Sequence, residues 1–152
     1  MRALATMALM LALASAGCAP GESGGGESEA AALPGSDDTA PFAGIGEDER
    51  LSFTGTEPFW GGTVERTRLV YRTPEQPDGV TVAVERFAGR GGLSFSGVFE
   101  ARTFDMAVTP GACSDEMSDR IYPFTVTLRI GQELRNGCGW TDRQTYREPP
   151  PG

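Results

Sequence analysis

Cys113, Asp115, Glu116 and Asp119 fall close together in CSDEMSDRIYPF, residues 113–124, and a further cysteine, Cys138, lies in NGCGW at 136–140. Carboxylates this close can divide acid and base roles when their surroundings separate their pKa values, or hold Ca²⁺ together with carbonyl oxygens. The order D-E-x-x-D does not reproduce the alternating ligands of a calcium loop. Zinc asks for four sulfur or nitrogen ligands, and the chain has no histidine and three cysteines in all. Without histidine, Ser–His and Cys–His nucleophiles are excluded. Only two-carboxylate chemistry of the glycosidase type remains open to an enzyme. No CxxC marks a redox pair. The expectation is therefore no catalytic residue, no metal and no cofactor, with Cys113 and Cys138 joined as a structural disulfide. A bridge across that span contributes about 3 kcal/mol.

The same residue types have structural uses. Ser114 can cap one helical turn, with Asp115 and Glu116 at its start and Arg120 at its end, where the helix dipole favours each charge. Glu116 and Arg120 are also four residues apart, in the favourable order. The spacing predicts a short helical turn joining two strands. A second unusual stretch is TGTEPFWGG at 54–62. Pro58 interrupts any central strand. Phe59 and Trp60 then either plug one end of a β-structure, with Glu57 paired to an arginine such as Arg120, or stand exposed with Glu57 as a contact rim. The candidate binding surface is Glu57, Phe59, Trp60, Asp115, Asp119 and Arg120.

The elements that must position these residues alternate with period two. Val80, Val82 and Val84 face one way; so do Leu93, Phe95 and Phe99, then Phe104, Met106 and Val108, and then Tyr122, Phe124, Val126, Leu128 and Ile130. Leu51 with Phe53, Leu69 with Tyr71, and Cys138 with Trp140 suggest three more strands. Turn formers separate the runs, and no stretch of helical length shows helical spacing. The fold expected is all-β: an antiparallel barrel or sandwich of seven or eight strands, barrel preferred, with one short helical turn and one disulfide.

The N-terminal MRALATMALMLALASAG has one arginine and a short apolar run ending in small residues, the layout of a secretory signal. SAGC at 15–18 resembles a bacterial lipobox, which implies cleavage before Cys18 and a lipid on its sulfur; cleavage after Ala16 is the alternative. Lipidation of Cys18 also explains an odd number of cysteines in an exported chain. Multiple acyl chains anchor a protein stably without apolar protein surface. Ala19 after the cysteine resembles the outer-membrane class of such proteins.

The domain reading is signal peptide 1–17, lipidated cysteine and flexible tether 18–46, β-domain 47–147 and unfolded tail 148–152, the tether being too rich in Gly, Ser, Ala, Glu and Pro to bury a core. From residue 47 onward there are 16 acids and 12 arginines, a net of −4. The domain lacks the basic footprint of a nucleic-acid binder.

GTEPFW, CSDEMSDRIYPFTVTL and GCGW together resemble a family of uncharacterised bacterial envelope lipoproteins, whose usual wording is N-E-P-F-W and C-S-D-G-M-S-D-R-x-Y-P. The resemblance covers most of residues 50–140. Thr56 replaces the family's Asn, and Glu116 its Gly. The family implies an envelope location and no particular activity. The expected function is a non-catalytic, lipid-anchored envelope protein, on the outer membrane and facing the periplasm. It is held to the membrane through Cys18, and its β-domain binds a protein or glycan component of the envelope. The alternative is a carrier with a small apolar ligand inside a barrel.

Overall fold

A computed structural model describes residues 39–148. The expected signal peptide, Cys18 and its lipid, the tether up to residue 38 and the tail from residue 149 lie outside these residues. Eight strands follow one another: β1 (Leu51–Thr56), β2 (Phe59–Glu65), β3 (Arg68–Thr73), β4 (Gln76–Ala88), β5 (Leu93–Phe99), β6 (Arg102–Ser114), β7 (Ile121–Ile130) and β8 (Glu133–Thr141). Each pairs antiparallel with its neighbour in the chain, and β8 pairs back onto β1, so the sheet closes into a barrel. No helix occurs among the described residues.

The period-two rows face inward as their spacing requires. Val82, Val84, Leu93, Phe95, Phe99, Phe104, Met106, Val108, Phe124, Val126, Leu128 and Ile130 are all buried in one core. Tyr122 is buried but belongs to a different cluster, described below. The strand that the alternation did not bring out is β2, where Pro58 precedes FWGG. A Cβ on Gly62 would overlap the Val70 carbonyl and the Phe53 ring. Glycine is required there by close approach.

Trp60 enters the barrel from β2 at 4% exposure, with its ring 5.6 Å from Phe53 and 6.4 Å from Tyr71. The indole lies against Gly55 and Gly137, where added methyl groups would collide with it. Across β7–β8, Val126 pairs with Gly137 and Phe124 with Gly139, large beside small, the way a small barrel fills its interior. Towards one end, Tyr71, Phe99 and Phe104 meet edge to face, and Arg135 donates to the Tyr71 hydroxyl.

The other end is shut by residues expected in the tether. Ile45 is 3% exposed and Phe42 packs on the core. The Phe42 N–H bonds the Gly89 carbonyl at 2.7 Å, and Arg86 donates to the Ile45 carbonyl at 2.8 Å. The folded body thus begins before residue 47; composition hides a lid made of two apolar side chains. Beside Ile45, Leu51 and Leu93 the space left is about 10 Å³, at the lower limit for one water.

Trp60→Ala should lower the unfolding free energy by about 3–5 kcal/mol, and Gly55→Ala should also destabilise, because its methyl competes with the indole. Denaturant unfolding measures both. A loss under about 1 kcal/mol for Trp60→Ala would mean that the indole is not a filled part of the core.

Candidate functional site

After Val108, β6 runs beyond its pairing with β5 and keeps only β7, and a register shift between Pro110 and Cys113 adds a residue on the β6 side. Such a bulge bends the strand. Cys113 then meets Cys138 of β8 in a disulfide, with Cα atoms 5.6 Å apart. The cross-link therefore reaches over β7, tying the extension of β6 to the outer face of β8.

Residues 114–120 do not form the expected helical turn. The Ser114 hydroxyl accepts the Glu116 N–H at 3.1 Å, a turn closed by a serine side chain. Glu116 sits at φ 58°, a left-handed conformation in which helix cannot continue. The Glu116–Arg120 pair is absent. Asp115 organises the loop instead: its Oδ1 accepts the N–H of Met117 at 3.1 Å and of Ser118 at 2.8 Å, the Ser118 hydroxyl reaches both oxygens at 3.0 Å, and the Tyr122 hydroxyl donates to Oδ2 at 3.0 Å. Burial raises the Asp115 pKa, but these backbone and hydroxyl donors outweigh it, and the carboxyl titrates below its ordinary value. Burial, followed by the Asp115 bond, pushes the Tyr122 phenol up.

Tyr122 packs on Trp140 and Tyr146, with ring centroids 5.3 and 5.4 Å away. The chain after β8 crosses this cluster and is pinned by paired backbone bonds between Ile121 and Arg147 at 3.0 and 2.9 Å. Arg120 lies with its guanidinium 4.5 Å from the Tyr146 ring centre and pairs with Glu148 at 3.3 Å, not with Glu57. Trp140 and Tyr146 had no site role in the sequence reading; the signal available was the Asp-x-x-Ser of 115–118, a side-chain-closed turn.

The six surface candidates separate as follows. Trp60 is removed from the surface by burial, so the exposed-rim reading fails for it. Phe59 is 54% exposed, and Glu57, exposed in the β1–β2 turn, makes no ion pair among the described residues. Asp115 is half-buried and fully engaged, Arg120 is half-buried on Tyr146, and Asp119 is exposed with no hydrogen bond or ion pair to a described residue. Among the described residues no three acidic or sulfur ligands converge.

The two unusual stretches nevertheless meet. A groove of about 390 Å³ on the outside of the barrel has Thr54, Gly55 and Thr56 of β1, Thr125 and Thr127 of β7 and Asn136 of β8 in its lining, and Cys113, Ser114, Asp115 and Glu116 along it as well. Thr56 is the last residue before the Glu57–Pro58 turn. With Asp115 saturated by its own loop, the chemistry on offer is hydrogen bonding from hydroxyl, amide and backbone groups, with a free carboxylate at Glu116.

The architecture is thus an eight-stranded antiparallel closed barrel stapled by one disulfide. No protein-family model matches the chain, and no curated protein or solved structure shows significant similarity to it.

Two expectations follow for the loop. Cys113→Ser with Cys138→Ser should cost about 3 kcal/mol in denaturant unfolding; an unchanged midpoint would show that the cross-link constrains nothing. Because folding lowers the Asp115 pKa, its ionised form stabilises the fold above the unfolded value of about 3.9, and this is lost as pH falls through the lower folded value. Asp115→Asn should therefore be the less stable protein at neutral pH and converge on wild type as pH falls through and below the ordinary carboxylate range. A gap that persists in acid would show that the charge is not what holds the loop.

Proposed function

We propose that this chain is a non-catalytic, lipid-anchored protein of the bacterial cell envelope that binds a protein or another envelope component through the groove beside its disulfide. The leader-like N-terminus with Cys18, and the resemblance of GTEPFW and CSDEMSDRIYPF to envelope lipoproteins, support the location. A disulfide between Cys113 and Cys138 suits an oxidising compartment. The observation that carries the binding role is the construction of the groove: a sheet face walled by a segment that the disulfide and the Asp115 network hold in place. Preorganised walls reduce the ordering cost of binding. The barrel interior, filled by aromatic and aliphatic side chains, supports this reading over that of an apolar-ligand carrier.

Affinity capture from envelope extract, with the native lipidated chain as bait, tests the proposal. A specific component should be retained by wild type and lost with Thr127→Lys, which places a long cation on the exposed groove floor. Retention unaffected by that change would sink the groove reading. Intact-mass measurement of the native protein should show the lipid on Cys18; an unmodified thiol there would remove the anchor.

A further inference from the structure

The charged side chains lining the groove are of one sign. Asp115 and Glu116 line it, no arginine does, and the remainder is hydroxyl, amide, apolar and backbone. Asp115 is committed to its loop, whereas Glu116 is exposed and its carboxylate bonds to no described residue. The left-handed backbone of Glu116, at φ 58°, and the bond from its N–H to the Ser114 hydroxyl fix where this carboxylate leaves the chain. Thr54, Thr127 and Asn136 present donors and acceptors, the Thr125 hydroxyl being bonded to Thr109, and no aromatic ring is among the lining residues. Resting on the groove as the binding surface, we infer that its occupant is an extended peptide segment bearing a lysine or arginine.

Three arguments converge on that class. Peptide N–H and C=O groups must be satisfied when they leave water, and threonine hydroxyls and an asparagine amide both donate and accept. A sugar ring presents an apolar C–H face that an aromatic platform would cover, and the lining lacks one. The lone free charge in the groove is negative, on a domain with 16 acids and 12 arginines from residue 47 onward, so a basic segment is steered towards it while an acidic one is repelled.

The test selects ligands for the full lipidated chain in neutral detergent from a random dodecapeptide display library, and measures the binding of selected peptides and of neutral glycan strands. Selected peptides should be enriched in lysine or arginine. Their binding should weaken about threefold to fivefold with Glu116→Gln, the size of one exposed ion pair, and should fall as salt rises from about 50 to 500 mM. Thr127→Lys should abolish it, and Phe87→Ala, four strands from β8 on β4, should leave it unchanged. Peptides without basic residues that still depend on Thr127 would overturn the basic-peptide class and leave the groove reading standing. Glycan binding that depends on Thr127, with no peptide selected, would do the same in favour of a sugar. Ligands indifferent to both Glu116→Gln and Thr127→Lys would overturn both readings.

Discussion

The bond between Cys113 and Cys138 is the constraint on which the outer architecture depends. A closed barrel presents a convex surface on every side, and convex surfaces make poor binding sites. Here the end of β6 outruns its partner β5, bends at the bulge near Pro110 and is fastened over β7 to β8. That single covalent tie turns a stretch of convex sheet into a trough with a wall. The Asp115 bonds and the packing of Tyr122 on Trp140 and Tyr146 stiffen the wall from behind. Of the neighbouring acids, Asp115 holds the loop and Glu116 is left at its surface.

Inside, the constraint is volume. Eight strands enclose a space that side chains must fill, and this chain meets the requirement unevenly. β7 contributes Phe124, Val126, Leu128 and Ile130, while β8 contributes Gly137 and Gly139 opposite two of them. The space over Gly137 of β8 and Gly55 of β1 is taken by the indole of Trp60, which β2 carries directly opposite Gly55. The glycines and the tryptophan are one packing decision written at separated positions, and the exposed turn Glu57–Pro58 is where the chain swings round to deliver it.

What could be read in advance was whatever local alternation encodes. The rows Phe104–Met106–Val108 and Phe124–Val126–Leu128–Ile130 point inward because a strand with one buried face has no other choice. The turns were less legible: residues 109–111 lie inside β6 at its bulge and residues 76–79 inside β4, while the β2–β3 and β5–β6 turns, at Arg66 and at Glu100 and Ala101, take positive φ without glycine or proline. β2 was hidden because Gly61 and Gly62 are answers to neighbours on β1 and β3, which a linear pattern does not contain. The loop at 114–120 was half legible: Ser114 and Asp115 do close turns with their side chains, but the ends are set by the disulfide and by the bulge, and the backbone passes through a left-handed residue at Glu116. Glycine tolerates such a conformation best, so a glutamate at that point gave no warning of it. The inner or outer fate of Trp60 could not be settled by a Pro-Phe-Trp triplet, since it turns on Gly55 and Gly137. The lid of Phe42 and Ile45 lies in a segment whose average composition argues for disorder.

The pairing order of the strands also bears on the sequence of assembly. Every contact between adjacent strands except one is a local hairpin, and the exception is the seam where Leu51 meets Thr141 at opposite ends of the domain. The two cysteines belong to β6 and β8, members of one C-terminal meander that makes no demand on β1. Oxidation thus needs only the last third of the domain to zip up, and the staple can be in place before the seam closes, when the long loop-closure entropy of that final step is met by a partner already held in shape.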